Sequence, residues 1–153
     1  MSYPRIWIDA DACPNVIKEV LYKAAIRCKV ELTLVANSTL PTPSSPLINS
    51  IRVGAGFNVA DDEIARLAEA GDLVITADIP LADKIVEKGA TGLNPRGELY
   101  TKENIKGILS MRNLMEELRS GGMASGGPPP LGPKDKQKFT NQLDKFLTQN
   151  LNR

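Results

Sequence analysis

The stretch of residues 6–36 constrains the fold of this chain most, because its pattern predicts a strand, a helix and a second strand in succession. Residues 6–8 are a short apolar run, and residues 30–36 alternate before becoming wholly apolar, as buried strands do. Between them, Pro14 suits the first turn of a helix that extends to about Cys28. A strand–helix–strand unit of this length has parallel strands, so an α/β protein is predicted.

The alternation of strands and helices continues beyond this unit. Further short strands are predicted at residues 51–53, 73–76 and 90–93, the last of them at an edge of the sheet. Amphipathic helices are predicted after residues 61–63, before Gly89, and after Thr101, which we expect to be an N-cap. The whole pattern predicts an α/β fold with a mostly parallel central sheet and helices on both faces.

The composition changes twice near the C-terminus. Residues 1–119 have the pattern of one α/β domain, and residues 120–133 are rich in Gly and Pro, which predicts a linker. Residues 134–153 are predicted to form an amphipathic helix that packs on the same domain, with one apolar face of Phe139, Leu143, Phe146 and Leu147.

The chain contains no histidine and two cysteines, which excludes several classes of enzyme site. A Ser-His-Asp triad, a Cys-His pair and a His-containing zinc site are impossible within such a chain. Cys13 and Cys28 lie about 20 Å apart along the first predicted helix, too far for a disulfide. Acid–base chemistry must therefore use carboxylates, Lys, Tyr, Cys or metal-bound water.

The sequence predicts a cytoplasmic protein with no membrane partner. It has no apolar run near the ~18 residues of a membrane helix, and no apolar leader follows residues 1–5. The formal net charge is +1, but the segment from Lys134 onward holds five basic and two acidic residues. A basic segment suits a polyanion such as RNA, and it equally suits a solvated helix face. The oligomeric state stays open, with a homodimer as one alternative.

Acidic residues occur at three predicted junctions between a strand and the next helix: Asp9 with Asp11, Asp61 with Asp62, and Asp78 with Asp83. In a parallel α/β sheet such junctions share one edge, where ligands bind. Gathered carboxylates repel one another unless a cation intervenes, and ligand sets of oxygen alone favour Mg²⁺ or Mn²⁺. Taken singly, each junction has an alternative interpretation as an ordinary helix N-cap. At the first junction, Asp11 would cap the helix and Asp9 would be solvated.

Three longer motifs are specific enough to compare with known families: Ile-Trp-Ile-Asp-Ala-Asp-Ala-Cys-Pro at 6–14, Gly-Asp-Leu-Val-Ile-Thr-Ala-Asp-Ile-Pro at 71–80, and Asn-Pro-Arg-Gly-Glu at 94–98. They resemble the bacterial YaiI/YqxD family, and the resemblance covers nearly the whole chain. It implies a three-layer PIN-like fold, related to nucleases whose acidic residues at equivalent strand ends bind divalent metal and cut RNA.

The resemblance also implies roles for individual residues. Asp9, Asp11, Asp61 and Asp78 would be catalytic and would bind Mg²⁺ or Mn²⁺, with Asp83 as a further metal ligand. The family usually has Gly-Phe-Asp where this chain has Gly-Phe-Asn at 56–58. This departure leaves the roles of Asn58 and Asp62 open.

Asn37, Arg96 and Arg112 are the candidates for binding substrate phosphate, because an arginine offers a bidentate fork and residues 94–98 form a predicted loop. A structural salt bridge to the acidic residues is the alternative for the arginines. The sequence thus predicts a Mg²⁺- or Mn²⁺-dependent ribonuclease.

The sequence is also compatible with two other functions. One is a non-catalytic RNA- or ribosome-binding protein of the same fold. The other is a phosphatase with Asp9 as nucleophile, since Asp9-Ala10-Asp11 resembles the Asp-x-Asp of haloacid-dehalogenase-type phosphatases. Cys13 stands where those phosphatases carry Thr or Val, and we expect it to be a packed side chain.

Overall fold

The structure, a computed structural model, describes residues 4–56, 58–121 and 130–151. Strands and helices alternate along these residues: β1 (Ile6–Asp9), a short 3-10 helix (Ala10–Ala12), α1 (Asn15–Cys28), β2 (Leu32–Ala36), β3 (Ile48–Arg52), α2 (Val59–Leu67), β4 (Leu73–Ile75), α3 (Ile79–Glu87), β5 (Thr91–Leu93), β6 (Leu99–Tyr100), α4 (Ile105–Ser120) and α5 (Pro133–Leu151). None of the helices in these ranges is both long and apolar enough to cross a membrane.

The described strands form one six-stranded sheet in the order β3-β2-β1-β4-β5-β6. The strands from β3 to β5 are parallel, and β6 pairs antiparallel with β5. The central strand β1 pairs with β2 on one side and β4 on the other, so that Ile8 lies between Leu34 and Ile75. Strands β2 and β3 are therefore added on one side of β1, and strands β4 to β6 on its other side. The strand order reverses between β1 and β4, which is where open α/β sheets form a ligand crevice.

Two hydrophobic cores lie on opposite faces of the sheet, because side chains alternate along each strand. Ile6 and Ile8 of β1 belong to the first core, beneath α1 and α5. Trp7 belongs to the second core, where α2, α3 and α4 pack. The result is a three-layer α/β fold, which confirms the fold class predicted from the sequence.

Helix α5 completes the first core. Its Phe139 and Leu143 are fully buried against the layer that contains α1. Two ion pairs hold its outer side, Arg96 to Asp135 and Arg27 to Asp144, each at 2.9 Å. Most of the predicted linker at 120–133, namely residues 122–129, lies outside the described residues.

Several details of the secondary structure differ from the sequence-based prediction. Helix α2 begins at Val59, so residues 61–63 lie within the helix and not before it. Strand β3 ends at Arg52 instead of Val53 and begins at Ile48, because its edge position gives it mostly exposed residues and no apolar run. Residues 91–93, which form β5, are not an edge strand. The turn that follows them leads into β6, which pairs with β5 and is itself the edge strand. Helix α4 begins at Ile105 with Asn104 at the N-cap position, not directly after Thr101.

The start of α4 has a local cause. The side chain of Asn104 accepts a hydrogen bond from the Thr101 N–H at 2.9 Å and donates one to the Leu99 carbonyl at 2.8 Å. These contacts hold residues 101–104 in a turn before the helix. Asn104 thus takes the position that the sequence-based prediction assigned to Thr101.

Candidate functional site

Asp9 lies at the carboxyl end of β1, at the crevice between β1 and β4, and is only 9% exposed. Its Oδ2 accepts a hydrogen bond from the Thr76 hydroxyl at 3.1 Å. Burial raises the pKa of Asp9, the Thr76 hydrogen bond lowers it, and the charges of Asp78 and Asp11 raise it further. The interpretation of Asp9 as a solvated side chain is therefore wrong.

Asp78 follows β4 and caps helix α3. Its Oδ1 accepts a hydrogen bond from the Leu81 N–H at 2.8 Å, and its own N–H donates to the Thr76 hydroxyl oxygen at 3.0 Å. Thr76 thus donates to Asp9 and accepts from Asp78. A single hydroxyl fixes the ends of two neighbouring strands relative to each other.

Asp61 lies in the first turn of α2 and faces Asp78. Its pKa is raised to about 7 by burial first, then by a side-chain hydrogen bond with Asp78 and the charges of Asp78, Asp9 and Asp62. A hydrogen bond between two carboxyl groups requires a proton on one of them. Asp61 is the group whose pKa is raised, so its carboxyl retains the proton beside Asp78 up to about pH 7.

An open cavity of about 210 Å³ adjoins this carboxyl pair. Two basic residues contribute to its wall, and Lys84 lies 3.8 Å from the exposed Asp62. The other basic residue, Arg112, is 3.6 Å from Glu116 on its own helix. The complete lining consists of Asn58, Asp61, Asp62, Asp78, Pro80, Leu81, Lys84 and Arg112.

Asp11 and Asp83 lie apart from the cavity. Asp11 is exposed, and its Oδ2 accepts a hydrogen bond from the Asn37 N–H at 2.8 Å. It does not cap α1, whose N-cap position is occupied by Pro14 without a side-chain hydrogen bond. Asp83 forms an ion pair with Lys106 of α4 at 2.8 Å. Asp11 still adds its charge to the surroundings of Asp9.

The candidate phosphate ligands are dispersed in the structure. Arg112 lines the cavity. Arg96 forms an ion pair with Asp135 of α5 at 2.9 Å, so its salt bridge is to a residue that the sequence did not suggest. Asn37 lies beside Asp11 through its backbone N–H. Of the three candidates, Arg112 is the one that shares a cavity with the carboxyl pair.

Two residues of the site were not predicted from the sequence. Thr76 is the polar residue that directly follows the apolar strand β4, two positions before Asp78, and this pattern could have identified it. Lys84 carries no such signal, because a lysine on the second turn of an amphipathic helix is ordinarily a solvated residue.

Cys13 is a packed side chain, as predicted. It is 7% exposed, and burial raises the pKa of its thiol to about 12, with smaller effects from Lys18 and Asp9. A thiol with this pKa is protonated at neutral pH and is a poor nucleophile.

The donor set fits a hard cation held by a few protein ligands. Within residues 4–56, 58–121 and 130–151, no group of three or more Cys, Asp or Glu side chains is placed to hold a metal ion. However, Mg²⁺ needs only one or two carboxylates when water and substrate phosphate complete its coordination. Asp61 and Asp78 are such a pair, because they line the same cavity.

Comparison with known proteins connects this chain to one family. A family model described as "Uncharacterized BCR, YaiI/YqxD family" matches residues 7–149. A "UPF0178 protein" of Maridesulfovibrio salexigens is 73% identical over 149 residues, which are 97% of this chain and 99% of the relative.

Two Shewanella relatives are also named "UPF0178 protein". The protein of Shewanella pealeana is 58% identical over 146 residues, 95% of this chain and 97% of its own length. The protein of Shewanella amazonensis is 59% identical over 145 residues, with the same two coverages of 95% and 97%. No solved structure matches the chain significantly.

Proposed function

We propose that this chain, which belongs to the YaiI/YqxD family, is a divalent-metal-dependent nuclease that hydrolyses phosphodiester bonds in RNA. The observation that carries the proposal is that Asp61 and Asp78 line one cavity, next to the buried Asp9 that Thr76 joins to Asp78. Carboxylates brought close together repel one another, and a divalent cation bound between them relieves that repulsion.

The residues around the pair have distinct roles in this proposal. Asp61 and Asp78 would hold Mg²⁺ or Mn²⁺, while the Thr76 hydroxyl fixes Asp9 next to them. When bound, such an ion would supply Lewis-acid polarisation of a phosphate and a lower pKa for an attacking water. Arg112 and Lys84, on the wall of the same cavity, bind the phosphate of the substrate.

A second function is favoured by one observation. The described residues contain no preformed group of three acidic metal ligands, and a protein that only binds RNA needs none. In that case the cavity and its two basic residues would contact RNA without cleaving it. The two functions differ in whether Asp78 matters for turnover.

The deciding experiment measures Mn²⁺-dependent cleavage of an end-labelled single-stranded RNA by the wild type and Asp78→Asn. Asparagine is also a good N-cap, so this variant removes the charge while retaining the hydrogen bond to the Leu81 N–H. We expect the cleavage rate to fall about a hundredfold or more, since metal ligands contribute at least as much as the groups that orient them. Asp144→Asn, which changes an exposed acidic residue of α5, is the matched control and should keep full activity.

Calorimetry with Mn²⁺ alone complements the cleavage measurement. The wild type should bind the ion and Asp78→Asn should bind it more weakly. Equal cleavage by the wild type and Asp78→Asn would contradict the nuclease proposal. So would a wild type that neither cleaves RNA nor binds the metal ion. Retained RNA binding in that event would support the non-catalytic function, and beryllofluoride bound at Asp9 would support a phosphatase.

A further inference from the structure

Helix α4 carries an apolar face that projects away from the two cores. This face consists of Met111, Leu114, Met115 and Leu118, which are 57%, 49%, 38% and 36% exposed. The beginning of the helix is anchored, since Ile105 is buried in the second core and Ile108 packs against it. The second half of α4 therefore presents large apolar side chains to solvent within the described structure.

The spacing of these residues is typical of a surface through which two helices pack together. The exposed apolar positions 111, 114, 115 and 118 are separated by three or four residues. This spacing keeps apolar side chains on one stripe and is typical of two helices packed along each other. Four exposed apolar residues on one helix also exceed the scattered exposure that needs no explanation.

We propose that α4 of one chain packs along α4 of a second copy, in parallel and about a two-fold axis, through the face of Met111, Leu114, Met115 and Leu118. The proposal is independent of the nuclease function. A two-fold interface needs a surface that is complementary to itself, and the charges beside this face meet that condition.

The charges on the two sides of the face differ in sign. At about 100° per residue, Arg112 and Arg119 lie on one side of the apolar stripe, where Arg112 is paired with Glu116, and Glu117 lies on the other side with Ser110. In a parallel pair, the basic side of one helix faces the acidic side of its copy, which brings Arg119 near Glu117 of the second copy. In an antiparallel pair, the basic sides face each other, and Arg119 meets Arg112 of the second copy.

The position of the cores is compatible with the same arrangement. The side of α4 that packs on the domain, marked by Ile105, lies about 130° around the helix from the centre of the exposed face. A two-fold axis then places the two domains on opposite sides of the helix pair. Because Arg112 also lines the acidic cavity, the second copy lies next to that cavity.

The first test measures molecular mass by sedimentation equilibrium of the full chain over a wide range of protein concentration. We expect a reversible dimer of moderate affinity, because one helix face buries less area than a standard interface. Met111→Glu should raise the dissociation constant about tenfold or more, since it introduces a charge at the centre of the apolar face. Ile26→Glu is the matched control, because Ile26 of α1 is 48% exposed and lies off this face, and it should leave the dimer unchanged.

The second test distinguishes the two orientations through Arg119. At low salt, Arg119→Glu should weaken a parallel dimer about two- to fivefold, and adding Glu117→Arg in the same chain should restore it. An antiparallel dimer would instead be strengthened by Arg119→Glu, and that result overturns the proposal. Leu118→Glu replaces Met111→Glu if circular dichroism shows that the latter is misfolded.

The molecular mass of the wild-type chain alone can contradict the proposal. A chain that remains monomeric at every concentration overturns the proposal and assigns the face to another segment of the chain or to a different partner. A dimer that survives Met111→Glu and Leu118→Glu in folded proteins also overturns it.

Discussion

At the residue scale, Asp61 makes the stability of the protein depend on pH, because its pKa rises from 3.8 to about 7 on folding. Between these two values the folded chain holds a proton that the unfolded chain has released. The free energy of unfolding therefore decreases as the pH rises through this window, and the full loss is present above about pH 7.

Asp61→Asn should remove this pH-dependent loss. We expect a gain of about 1–2 kcal/mol at pH 8, reduced from the full linkage value because the carboxyl is partly exposed, and almost no gain at pH 4. Thermal unfolding at the two pH values measures the difference, which corresponds to a few degrees at pH 8. Asp144→Asn, at an exposed position, is the control, and an equal gain from Asp61→Asn at both pH values would contradict the assignment.

The sequence predicted which acidic residues lie near the sheet edge but not how they interact. The charge of Asp78 raises the pKa of both Asp9 and Asp61, whereas Asp83 is bound to Lys106 and Asp11 to the Asn37 backbone. Burial and protonation depend on side-chain directions that strand and helix periodicity does not encode. The roles of all five as metal ligands stay predictions.

At the element scale, the turn between β5 and β6 is a close contact with helix α5. Gly97 has a φ of +88°, and a Cβ at this position would lie 2.7 Å from the backbone carbon of Lys138 and the nitrogen of Phe139. The glycine is thus needed both for the backbone conformation and for the approach of the helix.

Gly97→Ala should destabilise the protein by about 2–4 kcal/mol, because it combines an unfavourable φ with a clash against rigid backbone. The control is Gly107→Ala inside α4, where nothing lies within 4 Å of the added methyl group and helix propensity predicts a gain of up to about 1 kcal/mol. Urea unfolding followed by circular dichroism measures both changes. Similar stabilities of the two variants would show that the turn and α5 are not in contact.

Whether an element could be predicted from the sequence depended on how long it is and on how much of it the domain buries. The apolar run of β4 and the proline-opened α1 have strong local signals, and both were predicted almost to the residue. Strand β6 has two residues, too few to show any periodicity. Helix α4 was predicted to be amphipathic, but much of its apolar face is exposed, since the domain covers only the first half of the helix.

At the scale of the whole molecule, α5 supplies Phe139 to the first core, so we expect it to unfold together with the rest of the domain. Phe139→Ala should lower the free energy of unfolding by about 3–5 kcal/mol, the usual effect of removing a fully buried phenylalanine. Lys145→Ala, at an exposed position of the same helix, should stay within about 0.5 kcal/mol of the wild type.

Two probes test whether the loss of stability in Phe139→Ala affects the whole chain. Trp7 fluorescence reports on the second core, on the opposite side of the sheet from Phe139, and circular dichroism reports on all helices. In a single cooperative unit both transitions shift together in Phe139→Ala. If the Trp7 transition stayed at its wild-type position, α5 would be an independent appendage.

The three-layer architecture and the family were both predictable, because periodic patterns and long motifs carry that information along the sequence. What the patterns lack is contact between distant segments. The pairing of Arg96 with Asp135 joins a turn to a helix on the far side of the predicted linker, and no local signal connects them.

The late position of α5 also has a consequence during synthesis. Arg27 on α1 and its partner Asp144 on α5 are 117 positions apart in the sequence. At synthesis rates of about 5–20 residues per second, Asp144 is added roughly 6–23 s after Arg27. During that interval, α1 has been made but the helix that covers the same core has not.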